Sequence, residues 1–427
     1  MLKNKKLSST AKNEFIVLPK LVLKIFKSVL LSYSIVHAEI NFEDTIHDYY
    51  NNSTNDSFHN FISKASSNNL FFYESSDEKS DLLKLLEELN ILPSSQSLVF
   101  SNTSLQLSKI GVNTPRAIYF SDNIYIGFIP NAQLEVIAID PLRGAIPYIF
   151  DFHDLGHNEI ITIKRSDKCM RCHSSQKTDY VPGLLLGSVI PMRGGGTLDV
   201  LNPNKSSHTV PYEKRFGGWF IDEQNHSIKS WANSVAVVNS KGRTERNNVN
   251  FSKNKHLYPF NGSDVVAHIV LEHQVGFTNL CIKIQYKSRE ELTEHEKLSF
   301  NFIKNSSTEL LDYSLFLNEP RLESPINKEE SQFAVEFEKV SLQKVKTSPL
   351  RTFRLKERIF ELRCSYMITS NIFNALPFPI KEVFFKELRK LLSDSDYREK
   401  SKYNYLEIDE CKSIDNFLSK TFTDLYK

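Results

Sequence analysis

In the stretch DLLKLLEELN, Leu82, Leu85, Leu86 and Leu89 recur at three- and four-residue intervals, so a helix there carries one apolar face. Downstream the period changes. From Arg116 to Ile149, the short aromatic and β-branched runs AIYF, IYIGFI and LEVIAID are separated by Ser-Asp-Asn and Pro-Asn, as in consecutive antiparallel hairpins. RFGGWFID, beginning at Arg215, reads as a further strand entry. The helical period returns between Ser263 and Tyr286, where Val266, Ile269, Val270, His273 and Phe277 share one face and His273 therefore sits on an apolar stripe. The C-terminal third is mainly helical, for example PIKEVFFKELRKLL, in which Ile380, Phe384, Leu388 and Leu391 align behind Pro379 at a helix start.

The pattern predicts an α+β chain. Its parts are an N-terminal leader over 1–38, a mostly helical segment over 39–113, a β-rich region over 114–262 and a mainly helical region over 263–427. Asn/Ser-rich patches near 51–69 and 239–254 read as loops. So does VPGLLLGSVIPMRGGG, whose Gly and Pro content suits an irregular loop wrapped around something. No fixed-period repeat interrupts this plan.

Chemistry enters at Cys169, where the chain reads CMRCH. Two thiols at this spacing can form thioethers with the two vinyl groups of one porphyrin, and the adjacent His173 imidazole can serve as an axial iron ligand. One covalent haem c is thus the expected cofactor, carried by the β-rich centre rather than by the compact all-α unit of a small cytochrome c. Two other chemistries use CxxC. Zinc wants four N or S ligands, and Cys281, Cys364 and Cys411 are isolated from one another in the sequence. A redox dithiol wants the start of a helix after a strand in a small βαβ domain, and nothing after the ITIKRSD run resembles one.

Covalent haem attachment takes place outside the cytoplasm, so a periplasmic or exported protein is expected. The N-terminus carries Lys3, Lys5, Lys6 and Lys12, then reaches VLLSYSIVHA, with Val36 and Ala38 at the −3 and −1 positions of a signal-peptidase site. Lys20, Lys24 and Lys27 shorten the apolar run and argue against a membrane-spanning helix, which needs about 20 predominantly apolar residues. Removing 1–38 takes away seven Lys and one Glu, so Lys+Arg falls from 53 to 46, Asp+Glu from 51 to 50, and the formal charge from +2 to −4. That balance gives no reason to expect nucleic acid as a partner. Of the five cysteines, two belong to the motif and the other three make no disulfide framework.

The second axial position decides between a carrier and an enzyme. A Met thioether raises the potential, a second His lowers it, and an open position admits peroxide or small ligands. Met192 follows His173 by 19 residues on the Gly-rich loop, while Met170 lies inside the motif and Met367 belongs to the helical region. His273 competes, although a His on an apolar face is also explained by a hydrogen bond inside the core. His208 falls in a loop that suggests a surface or supporting role, and His153 and His157 flank Gly156 in an acidic loop. Trp219 and Trp231 suit a porphyrin edge or ordinary core packing. Arg193 and Arg215 are candidates for pairing with haem propionates, because Arg forks onto carboxylates.

Several segments together resemble a group of exported bacterial mono-haem proteins that carry a single CxxCH and are labelled as containing a cytochrome c domain. They are SSQSLVFSNTSLQ, TPRAIYFSDNIYIGF, CMRCHSS with VPGLLLGSV, RFGGWF, SDVVAHIVLEHQ and RCSYMITSNIFNALP, running nearly end to end. The chain departs from that pattern at Phe216, where Trp is usual, and at Gly187, where an Arg usually precedes Ser-Val. A basic residue at 187 is therefore not available to a propionate. The resemblance implies a haem-binding, electron-transferring protein whose partner is another redox protein, a small cytochrome or oxidoreductase. Two alternatives stand beside it: a haem peroxidase or oxidoreductase with an open distal site, and a haem-based sensor or binding protein. No nucleophile elbow, phosphate loop or HExxH is present to suggest hydrolase or nucleotide chemistry.

Overall fold

The sheet that organises the molecule is assembled from hairpins, as the alternation over 116–149 predicts. A computed structural model describes residues 39–50, 54–67, 77–155, 163–202, 206–222, 228–340, 348–424 and 426. The expected leader over 1–38 lies outside them. In chain order the principal elements are helices α1 (Ser57–Ser67) and α2 (Glu78–Glu88), then strands β1 (Ser97–Val99), β2 (Arg116–Phe120), β3 (Ile124–Phe128), β4 (Leu134–Asp140) and β5 (Gly144–Phe150). Short strands follow: β6 (Val189–Pro191), β7 (Thr197–Val200), β8 (Trp219–Phe220), β9 (Ser234–Val238) and β10 (Thr244–Asn248). Helices α3 (Val265–His295), α4 (Phe300–Ser314), α5 (Phe378–Ser393) and α6 (Ile408–Thr421) complete the α+β architecture.

The six-stranded sheet has the order β5-β4-β3-β2-β1-β8, and its neighbours are antiparallel. Its faces are sorted by the two-residue period of strands. Ala117, Tyr119, Ile126, Val136, Ala138, Ile146 and Tyr148 pack in one core with Phe58 and Ile62 of α1 and Leu82, Leu85 and Leu86 of α2. These three leucines are fully buried, each contributing about 1.5–3 kcal/mol. Phe120, Tyr125, Ile139 and Ala145 point the other way and join a second core with Val266, Val270, Phe277 and Ile282 of α3. Residues Ile40–Lys427 form a single unit, with β1 from the 39–113 stretch inserted between β2 and β8.

Helix α3 starts at Asp264, whose carboxylate accepts from the amides of Val266 and Ala267, and ends at Glu296 in the left-handed conformation. It is the one helix among the described residues long and apolar enough to cross a membrane, and 89% of its apolar window is buried inside the fold. Its apolarity belongs to a core helix flanked by protein.

Local structure differs from the sequence pattern in three places. The patch over 51–69 contains α1, because Phe58, Phe61, Ile62 and Ala65 form a helical stripe within a Ser/Asn background. The Gly/Pro-rich stretch expected as irregular contains β6 and the turn that leads into its antiparallel partner β7. In 239–254, Thr244–Asn248 forms β10 although all five of its residues are exposed. Pairing with β9 supplies the backbone hydrogen bonds, and neither side-chain burial nor propensity marks such a strand.

Candidate haem site

The CxxCH segment docks on the outer edge of the sheet. Ser166 N donates to Pro147 O of β5 at 2.7 Å, and Ala145 N of β5 donates to Pro182 O at 2.9 Å, so the peptide leaves and rejoins the same strand. Between these points Asp167–Cys169 forms a 3-10 turn that continues into the helical turn Met170–His173. Helical pitch places Cys169 and Cys172 on one side of the turn, with His173 one residue beyond. Cys169 is half-buried, Cys172 is exposed, and both are free thiols.

Met170 points away from them into the core, where Tyr49 Oη lies 3.1 Å from its sulfur. It is the anchor of the turn. Arg165 braces the same side, its guanidinium over the Tyr49 and Tyr50 rings and its Nη1 donating to Tyr49 O at 2.7 Å.

His173 is clamped from both ends of Gly183. Its Nδ1 lies 2.9 Å from Gly183 O, and its own carbonyl accepts from Gly183 N at 2.8 Å. A carbonyl can only accept, so Nδ1 carries the proton and Nε2 keeps the lone pair a metal ligand needs. Burial lowers the imidazole's pKa, an effect the Gly183 hydrogen bond opposes, and so favours the neutral ring. Gly183 has no room for a side chain, since a Cβ would stand 2.8 Å from Asn279 Oδ1. Asn279, on α3, holds the amide and carbonyl of Leu184 at 2.7 and 2.8 Å.

The donor set fits haem c better than the other chemistries of CxxC. Burial pushes the Cys169 thiol up, whereas an attacking redox thiol is pulled down. Cys281, Cys364 and Cys411 are buried, and among the described residues no three His, Cys, Asp or Glu side chains converge as a metal cage. What remains is two thiols and one oriented imidazole on a single turn.

Beside this turn lies a charged row on the α3-facing side of the sheet. Glu135 of β4 is paired in register with Ile149 of β5 on one side and Gly127 of β3 on the other. Arg116 of β2 reaches across β3, placing Nη1 2.7 Å from Glu135 Oε2. The span is open because residue 127 is glycine: a Cβ there would meet Arg116 Cδ and Glu135 Cβ at 3.3 Å each. Glu135 also accepts from Ser104 Oγ and, at 3.0 Å, from Gln106 Nε2. Together these partners hold its carboxyl below the usual range despite burial. Both members of the pair act electrostatically on His173, Arg116 lowering and Glu135 raising its pKa.

Met192 lies in the turn of the β6–β7 hairpin. Its N donates to Gly196 O at 2.7 Å and its O accepts from Gly195 N at 2.8 Å. Asn102, on the loop that also supplies Ser104 and Gln106 to Glu135, donates to Gly195 O at 2.9 Å and Gly194 O at 3.3 Å. The hairpin and the charged row thus share one connecting loop. The Met192 side chain is 42% exposed, unusual for a thioether.

His273 occupies a different environment. Its Nδ1 lies 2.9 Å from His208 Nδ1, its Nε2 lies 2.8 Å from Ser365 Oγ, and its ring stacks on Phe316 at 4.6 Å. Both ring nitrogens are committed inside the core, the arrangement of a hydrogen-bonded core histidine. His208 is fully buried with it, among Tyr313 and Phe316, rather than on the surface. The backbone of His153 lies in the turn Phe152–Leu155, but its side chain and all of His157 fall outside the described residues.

Trp219 is buried on β8, at the opposite sheet edge from the CxxCH peptide. Its Nε1 donates to Gly187 O at 2.8 Å and its ring packs edge-on to His268. Trp231 is partly buried beneath the Arg246 guanidinium. Of the arginines singled out for propionates, Arg193 is exposed in the hairpin turn, and Arg215 is spent in the core on His208 O, Val210 O and Glu272. The residues that sequence reasoning passes over are Arg116 and Glu135. The available signal was a Glu inside the apolar run LEVIAID and a Gly inside IYIGFI.

Compared with family models, curated proteins and solved structures, the chain matches none.

Proposed function

We propose that this protein is an exported or periplasmic c-type haem protein that passes single electrons to or from another redox protein. The observation that carries the reading is the His173–Gly183 clamp, which orients a neutral imidazole on the same turn as two free thiols. Cys169 and Cys172 would hold the porphyrin, and His173 would ligate its iron. When bound, haem c supplies a one-electron ferric/ferrous couple. The chain's own part is to fix the His173 tautomer through Gly183, to anchor the turn through Met170 and Tyr49, and to leave Cys172 accessible from outside. A small cytochrome or an oxidoreductase is the partner this chemistry calls for.

The test is expression with a c-type haem maturation system, followed by haem staining on a denaturing gel. The wild-type chain is expected to stain, and the Cys169→Ala/Cys172→Ala chain to lose covalent haem. Covalent haem in the double variant, or none in the wild type, overturns the proposal. A low-spin ferric spectrum unchanged by cyanide or peroxide supports the carrier, whereas a cyanide complex supports the enzyme alternative.

A further inference from the structure

Arg116 leaves a donor unused. Its Nη1 is bonded to Glu135, but its Nε is buried and has no hydrogen-bond partner. A buried charged donor without an acceptor costs more than a neutral one, so an anionic group is the natural complement. Glu135 meets the guanidinium through Nη1 alone: its Oε2 accepts from Nη1, its Oε1 is given to Ser104 and Gln106, and neither oxygen is hydrogen-bonded to Nε. Arg165 also has a buried, unpartnered Nη2, but it lies between Tyr49 and Tyr50 on the side of the turn that Met170 faces. Arg116 lies instead in the row beginning at Ile149, on the strand where the haem peptide docks.

We propose that Arg116 receives a haem propionate, with Glu135 acting as a positioning residue that holds its guanidinium across the gap left by Gly127. The inference rests on the haem reading above and names the residue that takes the place of Arg193 and Arg215. The guanidinium fork suits a carboxylate, and the pair places one fixed positive and one fixed negative charge beside the haem peptide. A positive charge close to the iron disfavours the ferric state and a negative charge favours it. The two members of the pair therefore act on the couple with opposite signs.

The experiment is the reduction potential of matured wild-type protein and its Arg116→Gln and Glu135→Gln variants, with circular dichroism recorded on each. Covalent haem in the wild type satisfies the parent reading independently of these potentials. Arg116→Gln is expected to lower the potential and Glu135→Gln to raise it, with haem still attached in both. Unchanged potentials, or shifts of the same sign, overturn the inference. If Arg116→Gln fails to fold, Arg116→Lys decides. Lys keeps the charge but loses Nε and the fork, so the potential is expected to stay near wild type while the propionate bending band in resonance Raman moves. An unmoved band overturns the assignment.

Discussion

Arg116 and Glu135 stand two strands apart in the sheet and meet at 2.7 Å above Gly127, which lies between them on β3. The contact depends on an absent side chain as much as on the two charges. Any Cβ at 127 crowds both side chains at once.

Gly127→Val is therefore expected to destabilise the protein by about 1–3 kcal/mol, the usual effect of overpacking a closed site. Denaturant midpoints compared with those of Gly127→Ala check this. The alanine variant should fall between wild type and Val. A valine variant as stable as wild type would mean that the pair can lift off the sheet freely.

Replacement of Met192 and of His273 should have opposite consequences. Met192 is half in solvent, so Met192→Ala should change stability by no more than about 0.5 kcal/mol. If Met192 supplies the second axial ligand to a haem held by His173, the same variant of matured protein converts the ferric spectrum from low to high spin and opens the ferrous form to carbon monoxide; an unchanged spectrum removes Met192 from that position. His273→Ala should leave the spectrum alone and lower the unfolding midpoint, because it removes ring contacts and leaves Ser365 and His208 without their partner. A spectrum changed by His273→Ala but not by Met192→Ala would instead point to His273 as the axial ligand.

Arg215 is fully buried and depends on Glu272, 3.0 Å away, for its counter-charge. Glu272→Ala should cost about 3–5 kcal/mol, since it strands a buried guanidinium. Thermal or denaturant unfolding measures this, and a loss below about 1 kcal/mol would show that the backbone carbonyls of His208 and Val210 suffice to compensate Arg215.

Acid stability should be governed by buried imidazoles. Desolvation by burial lowers His47 to about 4 and His268 and His273 to about 3, with Arg289 and Arg215 adding to the effect at His47 and His268 respectively. An unfolded His takes up a proton below its ordinary value of about 6.5, so between that pH and the lowered values the unfolded chain binds more protons. Stability should rise as pH rises from about 3 to about 6.5. Glu272 and Glu319, both pushed up to about 7 by burial, work in the opposite direction above about pH 4.5. Unfolding midpoints measured across this range in wild type and His268→Gln should show a shallower rise in the variant. Parallel curves would count against His268 as a contributor.

Much of this protein is written in local spacing. Strand alternation over 116–149, the apolar stripe of α3 and the leucine face of α2 depend on neighbours two to four residues apart, which periodicity reports directly. Cys169, Cys172 and His173 are readable for the same reason, since one helical turn brings them together. Tertiary structure decided the rest. His273 lies on the predicted helix face, yet what its nitrogens touch depends on His208 and Ser365, 65 and 92 residues away. Arg116 and Glu135 become a pair only when β2, β3 and β4 align in register, and Arg215 is removed from the surface only when α3 supplies Glu272. Periodicity records which face a side chain takes. It carries no information about which distant side chain faces it, because that depends on the packing of whole elements.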